Sequence, residues 1–439
     1  MSTKMSRPSL LRIRRFGNAA ARDAALSGNL EAATASVRAV QGILDAGLGP
    51  FSAPLVPELR SLGWEAHDLI VGVAEVRAAW EREHGPLPQV RGVSDPDVLL
   101  ALAEIRRLRP DFILDNNVNV LNSRLMSVVR RSIPSRSVTV GYLGTEKRFH
   151  RARGLDLVLV PCETMKTAFA PYANGRVEVL PHSFDPKSLA SLPERAVTHP
   201  LTFAGSLGPR YSERHRILMA LLETTDIEAW IGLRKGVKRD PAGWLTAPGQ
   251  VRRRNRLSLN IANHIPIKLL ATLAANSERV GPAFNRRIVR KTGGLAAPPG
   301  RLRDPRALYP NRCHPAVSGI DYLALLRSSG AVVHRGIDAL GGCAGALRLF
   351  EVTGAGAALL VEDSEMVHAL FEVGKEVVTY TNADDAVKKA QWLAAHPAAR
   401  EEIALAGHRR TLRDHTTAAR ALRLNVLLRR MAARRGDRF

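Results

Sequence analysis

Cysteine, aromatic rings and acidic side chains are all scarce in this 439-residue sequence, and long apolar runs are missing from it. The three cysteines, Cys162, Cys313 and Cys343, lie far apart without a CxxC pair. Neither a disulfide framework nor a thiolate zinc site is therefore expected, only reduced thiols. With aromatics at 5%, the stacking platforms of single-strand nucleic-acid binders are lacking. No stretch approaches the roughly 18–20 uncharged apolar residues of a membrane span, and Met1–Gly17 is basic without the apolar core of a signal peptide. A cytoplasmic protein is expected.

What is abundant is positive charge: 64 Lys and Arg stand against 41 Asp and Glu, a net +23. Such a field draws polyanions, whether nucleic acid, an anionic membrane surface or phosphate-bearing substrates. The basic residues fall in separate clusters: Arg12, Arg14 and Arg15; Arg252, Arg253, Arg254 and Arg256; Arg286, Arg287, Arg290 and Lys291; and Arg429, Arg430, Arg434 and Arg435. No helix-turn-helix, zinc finger or RNP-like motif accompanies them. The balance favours a solvated or membrane-facing basic surface, peripheral at the inner membrane face, over nucleic-acid binding.

A chain of 439 residues exceeds the roughly 250–300 at which a single core stops growing, so two domains are expected. From about residue 50 onward, short apolar segments such as Glu65–Val71, Ser137–Tyr142 and Leu155–Val160 alternate with helix-like ones such as Asp97–Leu108. This is the βα rhythm of a parallel, doubly wound sheet. A second series begins at Leu201–Ala204 and runs through Ile227–Ile231, Gly330–Val333 and Ala357–Val361. The expected division is residues 1–185, a linker at 186–200, a second Rossmann-like domain at 201–400 and a helical basic tail at 401–439. An irregular insertion near 235–310, with a helix at about Ile265–Ser277, is expected within the second domain.

In open α/β sheets ligands bind beyond the carboxyl ends of the strands. One such loop is Gly205-Ser206-Leu207-Gly208-Pro209-Arg210, where glycine, a helix start and the Ser206 and Arg210 donors suit a diphosphate, although a plain strand-to-helix turn fits equally. The other runs from His334-Arg335 through Gly341-Gly342-Cys343 to Arg348-Leu349-Phe350-Glu351 and Gly354-Ala355-Gly356. Glu351 beside glycines suits the two hydroxyls of a ribose, with Arg348 one turn away for that carboxylate or for phosphates. An ordinary surface ion pair at i, i+3 is the competing account.

Residues 319–420 closely resemble the CgeB-like branch of the group 1 glycosyltransferases, through Gly319-Ile320-Asp321-Tyr322, Val333-His334-Arg335, the run from Arg348 to Leu360, Leu370–Tyr380 and Asp414-His415-Thr416-Thr417. Leu201–Leu222 resembles the opening of that family's second domain, and Leu180-Pro181-His182-Ser183-Phe184-Asp185-Pro186 matches more loosely. The resemblance implies an α/β fold of two Rossmann-like doubly wound domains facing a cleft, the GT-B arrangement. It also implies transfer from a UDP-, GDP- or dTDP-linked sugar, with no permanently bound cofactor, to an envelope glycan, protein or small-molecule acceptor. Glu351 would bind the ribose, Arg348 and Gly205–Arg210 the diphosphate, and His334 would face the donor; Arg335 and Gly354 complete the binding set. The family's second glutamate, eight residues before the ribose-binding one, is Cys343 here, which leaves the sugar open.

Glycosyl transfer expels a diphosphate, so Arg210, Arg214, Arg335 and Arg348 are the candidate stabilising cations, and without an acidic DxD-like pair no metal is expected. An inverting reaction also needs a general base, for which Asp115, Glu146 and His182 are candidates along with His150. A nucleic-acid-associated module, or a DNA-acting transferase on the same fold, is the alternative function.

Overall fold

The computed structural model describes residues 7–434 apart from 16–18, 28–33, 49–53, 119, 123–124, 136, 145–150, 174–175, 208–211, 234–236, 240–243, 247–301 and 337–345. The chain divides into two compact units, Met1–Pro181 with Thr417–Phe439, and His182–Thr416.

The first unit is built on six strands: β1 (Ser9–Arg15), β2 (Glu65–Val71), β3 (Phe112–Asn116), β4 (Val138–Tyr142), β5 (Leu157–Val160) and β6 (Val177–Val179). They are all parallel, in the order β2-β1-β3-β4-β5-β6. Helices on both faces make such strands continuously apolar, as in the wholly buried LVLV of β5. Strand β1 escapes the sequence pattern because three of its seven residues are arginine. Register sets Arg12 beside Asp68 of β2, with Nη2 2.6 Å from Oδ2, and Arg14 reaches Asp45 at 2.6 Å. Both guanidiniums are buried in internal ion pairs and so are not part of the solvated basic face expected, whereas Arg15 is half exposed and pairs with Asp97 at 2.9 Å on the surface. The clusters at Arg252–Arg256 and Arg286–Lys291, and Arg435, lie outside the described residues.

The second unit carries β7 (His199–Leu207), β8 (Glu228–Leu233), β12 (Cys313–Pro315), β13 (Ser329–His334), β14 (Ala358–Glu362) and β15 (Val378–Tyr380) as a second parallel sheet in the order β12-β8-β7-β13-β14-β15. Between β8 and β12, where no sheet rhythm is legible in the sequence, β9 (Lys238–Arg239), β10 (Trp244–Thr246) and β11 (Leu302–Arg303) form a small antiparallel sheet. The helix expected at Ile265–Ser277 lies outside the described residues. Cys313 is a buried free thiol, pushed up to about 11 by desolvation.

The segment expected as a linker, 186–200, is structured. Asp185 caps the short helix Pro186–Leu189, Arg195 pairs with Glu401 at 2.6 Å, and β7 starts at His199. The basic tail is two helices, Pro397–Asp414 and Thr417–Arg434, and the second belongs to the first unit. Its Ala421, Leu424, Leu428 and Ala432 share a core with Leu10, Leu59, Trp64 and Phe112, while Asn425 accepts from the Trp64 indole at 2.8 Å. Asn425→Ala strands that buried N–H and should cost about 1–3 kcal/mol. A lowered urea midpoint with an unchanged slope is the expected readout.

Candidate functional site

Counted within its own unit, the second sheet has the order 3-2-1-4-5-6, and its connections reverse direction between β7 and β13. The carboxyl ends of two adjacent strands whose chains leave in opposite directions open a crevice there. One buried guanidinium joins the two ends. Arg214, from the helix Ser212–Thr224, donates through Nη1 to the Ser206 carbonyl at 3.0 Å and through Nε and Nη2 to the Arg335 carbonyl at 3.0 and 2.6 Å. Arg335 in turn pairs with Glu362 at the end of β14. Both side chains therefore have structural partners before any ligand arrives.

The helix Ala346–Ala355 brings Glu351 to this crevice. Tyr322, from the helix Gly319–Arg327, donates its hydroxyl to Glu351 Oε2 at 3.2 Å, and Arg348 Nε lies 3.5 Å from the same oxygen. The Arg348 guanidinium sits 4.5 Å from the Tyr322 ring centroid, within cation–π range, and donates to the Ala204 carbonyl of β7 at 3.0 Å. An ordinary surface ion pair would be solvated, whereas Glu351 is only 2% exposed. Its other oxygen, Oε1, is buried without a hydrogen-bond partner. A buried, unmet carboxylate oxygen is costly, and sites that bear such a cost are those a ligand completes.

Burial raises the Glu351 pKa, opposed by Arg348 and by the Tyr322 hydrogen bond. His334, at the end of β13, is driven the other way: burial holds its imidazole well below the ordinary value, and Arg348, Arg214 and Arg335 push it further down. It is a neutral hydrogen-bonding group at physiological pH.

The structure thus gathers Gly205, Ser206, His334, Arg335, Arg348 and Glu351 at one end of the second sheet. Gly354, on the Glu351 helix, has a packing reason, because a Cβ there would lie 2.5 Å from the Phe184 ring. His182 is half-buried near the start of the same unit. Asp115 belongs to the first unit, where its fully buried Oδ2 accepts from the Val120 and Leu121 amides at 2.6 and 2.8 Å. Glu146, His150, Arg210 and Cys343 lie outside the described residues. Tyr322 is the site residue whose chemistry periodicity hides, since it occupies a core position in an apolar helix. Among the described residues no cluster of His, Cys, Asp or Glu is placed to hold a metal.

Residues 279–425, which contain Tyr322, His334, Arg348 and Glu351, match the Glycosyl transferase-like family. No curated protein matches the chain. Among solved structures, Anabaena Alr3699/HepE in complex with UDP and glucose is 12% identical, with a TM-score of 0.52 over 96% of this chain and 99% of its own. Sucrose-phosphate synthase from Thermosynechococcus elongatus is 11% identical at TM-score 0.51, over 97% and 100%. A glycosyltransferase from Rickettsia africae is 9% identical at 0.51, over 96% and 98%. At such identities the likeness establishes the GT-B fold and nothing finer. The family match covers about a third of the sequence.

Because Glu351 binds its proton more tightly in the folded than in the unfolded chain, stability falls as pH rises from the ordinary carboxylate value through the folded one. Glu351→Gln removes that loss. It should raise the melting temperature at about pH 7.5, with the gain fading towards about pH 4. An equal difference at both pH values would show that Glu351 ionisation carries no such cost.

Proposed function

We propose that this protein transfers a glycosyl group from a nucleotide-diphosphate sugar held at the β7–β13 crevice to an acceptor hydroxyl. The observation that carries the reading is the unmet Oε1 of Glu351, buried beside Arg348 and braced by Tyr322 through Oε2. A ribose offers two adjacent hydroxyl donors, the complement of a carboxylate with open lone pairs. Ionised Glu351 accepts both. Arg348, one turn earlier, and the Gly205–Arg210 loop meet the diphosphate and stabilise the negative charge that grows on the leaving group. Arg214 and Arg335 shape the crevice through their carbonyl and Glu362 contacts and add a positive field to it. Neutral His334 supplies hydrogen bonds near the donor without adding charge.

Alr3699/HepE is known in complex with UDP and with UDP-glucose, which makes a UDP-sugar the first donor to try, ahead of GDP- and dTDP-linked ones. The CgeB-like motifs support a place in that branch, and Cys343 in place of the usual glutamate points to the sugar subsite as the part that differs. For the acceptor proton we put the base at Glu146 or His182, ahead of Asp115, whose Oδ2 is committed to two amides. The acceptor is an envelope glycan, a protein or a small molecule. A cytoplasmic, peripherally membrane-held enzyme fits two observations: no described helix is long and apolar enough to cross a membrane, and Arg423, Arg430 and Arg434 are exposed on the last helix.

Thermal shift across UDP-, GDP- and dTDP-sugars should show stabilisation by one nucleotide class, together with slow donor hydrolysis. Glu351→Ala should lower kcat/KM by about a hundredfold or more, the scale of losing a charge-assisted contact pair. Absence of a shift with every nucleotide sugar would sink the reading.

A further inference from the structure

The first unit contains a second charged feature that donor binding does not use. A cavity of about 680 Å³ is lined by Gln89, Val90, Arg91, Arg106, Val128, Arg131 and Ser132. Arg106 lies in the last turn of the helix Pro96–Leu108, and Arg131 and Ser132 end the helix Met126–Ser132. Arg91 is held out by a tight turn in which the Val93 amide bonds the Val90 carbonyl at 3.0 Å and Gly92 takes a φ of 82°. That left-handed value favours glycine, so the turn fixes where Arg91 stands.

The sequence neighbours of these arginines are neutralised. Arg107 makes two 2.8 Å bonds to Glu104, and Arg130 bonds Asp156 at 2.8 Å. Among the described residues no carboxylate pairs with Arg91, Arg106 or Arg131, and none lines the cavity; Arg106 reaches only Ser132 Oγ, at 3.4 Å. The three guanidiniums are exposed and line one open depression without a carboxylate among them, and their planar forks match phosphate and sulfate oxygens.

We propose that this cavity is an anion-binding site for a ligand carrying two or more clustered phosphate or sulfate groups, with Gln89 and Ser132 supplying neutral hydrogen bonds. Its concave shape suits a discrete multi-anion group, and the site is independent of the donor reading.

The full-length protein is titrated with inorganic tripolyphosphate at low and moderate salt. Two triple variants serve as comparison: Arg91→Ala with Arg106→Ala and Arg131→Ala, and Arg423→Ala with Arg430→Ala and Arg434→Ala on the terminal helix. The cavity triple should weaken binding by roughly tenfold to a hundredfold, with the wild-type affinity itself falling as salt rises. The terminal-helix triple, which removes the same charge elsewhere, should bind as the wild type does. Equal losses in the two triples would mean diffuse charge and overturn the site, as would no binding by the wild type at low salt. Retention on phosphatidylglycerol vesicles should be unchanged in the cavity triple. If vesicle retention is lost while tripolyphosphate binding is not, the ligand is a bilayer surface and the proposal fails. The single reversal Arg131→Glu, at an exposed position, repeats the test should the triple variant fold poorly.

Discussion

The bond set of Arg214 is the constraint on which the second unit's chemistry depends. A doubly wound sheet leaves its central strand ends apart at the reversal, with backbone carbonyls pointing into the gap. One guanidinium, anchored on the helix after β7, ties the Ser206 and Arg335 carbonyls together. Arg348 makes a further tie, to Ala204. Because the two strands are held from both sides, His334 and Glu351 meet a fixed crevice edge.

Against that rigid edge stands a deliberate instability. A carboxylate with one buried, unbonded oxygen would be replaced by an apolar or amide group if folding were the only requirement. Arg348 and Tyr322 moderate the cost without removing it, and burial still dominates. The same burial acts in the opposite sense on His334 and leaves an uncharged ring among three arginines. One low-dielectric pocket thus keeps a histidine neutral and a glutamate easily protonated, an arrangement in which ligand hydrogen bonds count for more than they would in water.

Much of this was legible in the sequence. The alternation of β7, β13 and β14 with their helices follows apolar periodicity, and motif resemblance pointed to Arg348 and Glu351. Other features were not, for identifiable reasons. Strand β1 was hidden because Arg12 and Arg14 read as surface charge, whereas their partners Asp68 and Asp45 are more than thirty residues away in sequence. The same reading counted these two arginines towards a basic face, although they belong to an internal ion-pair network. Tyr322 stood within a resembling stretch, but its hydroxyl had no legible role because its partner is 29 residues further on. Whether Arg348–Glu351 is a surface pair or a buried one depends on tertiary burial, which periodicity does not contain.

The return of the last helix to the first unit changes what it means to finish making this protein. The first unit's core needs Leu424, Leu428 and Ala432, yet roughly 250 residues of the second unit separate them from Pro181. At typical synthesis rates that interval lasts on the order of tens of seconds. During it, Leu59, Trp64 and Phe112 have no terminal helix to bury them. The nascent first unit therefore keeps part of its apolar core uncovered until the last helix is made, and a message cut short anywhere in the second unit yields two incomplete domains where a simple tandem arrangement would have left one intact.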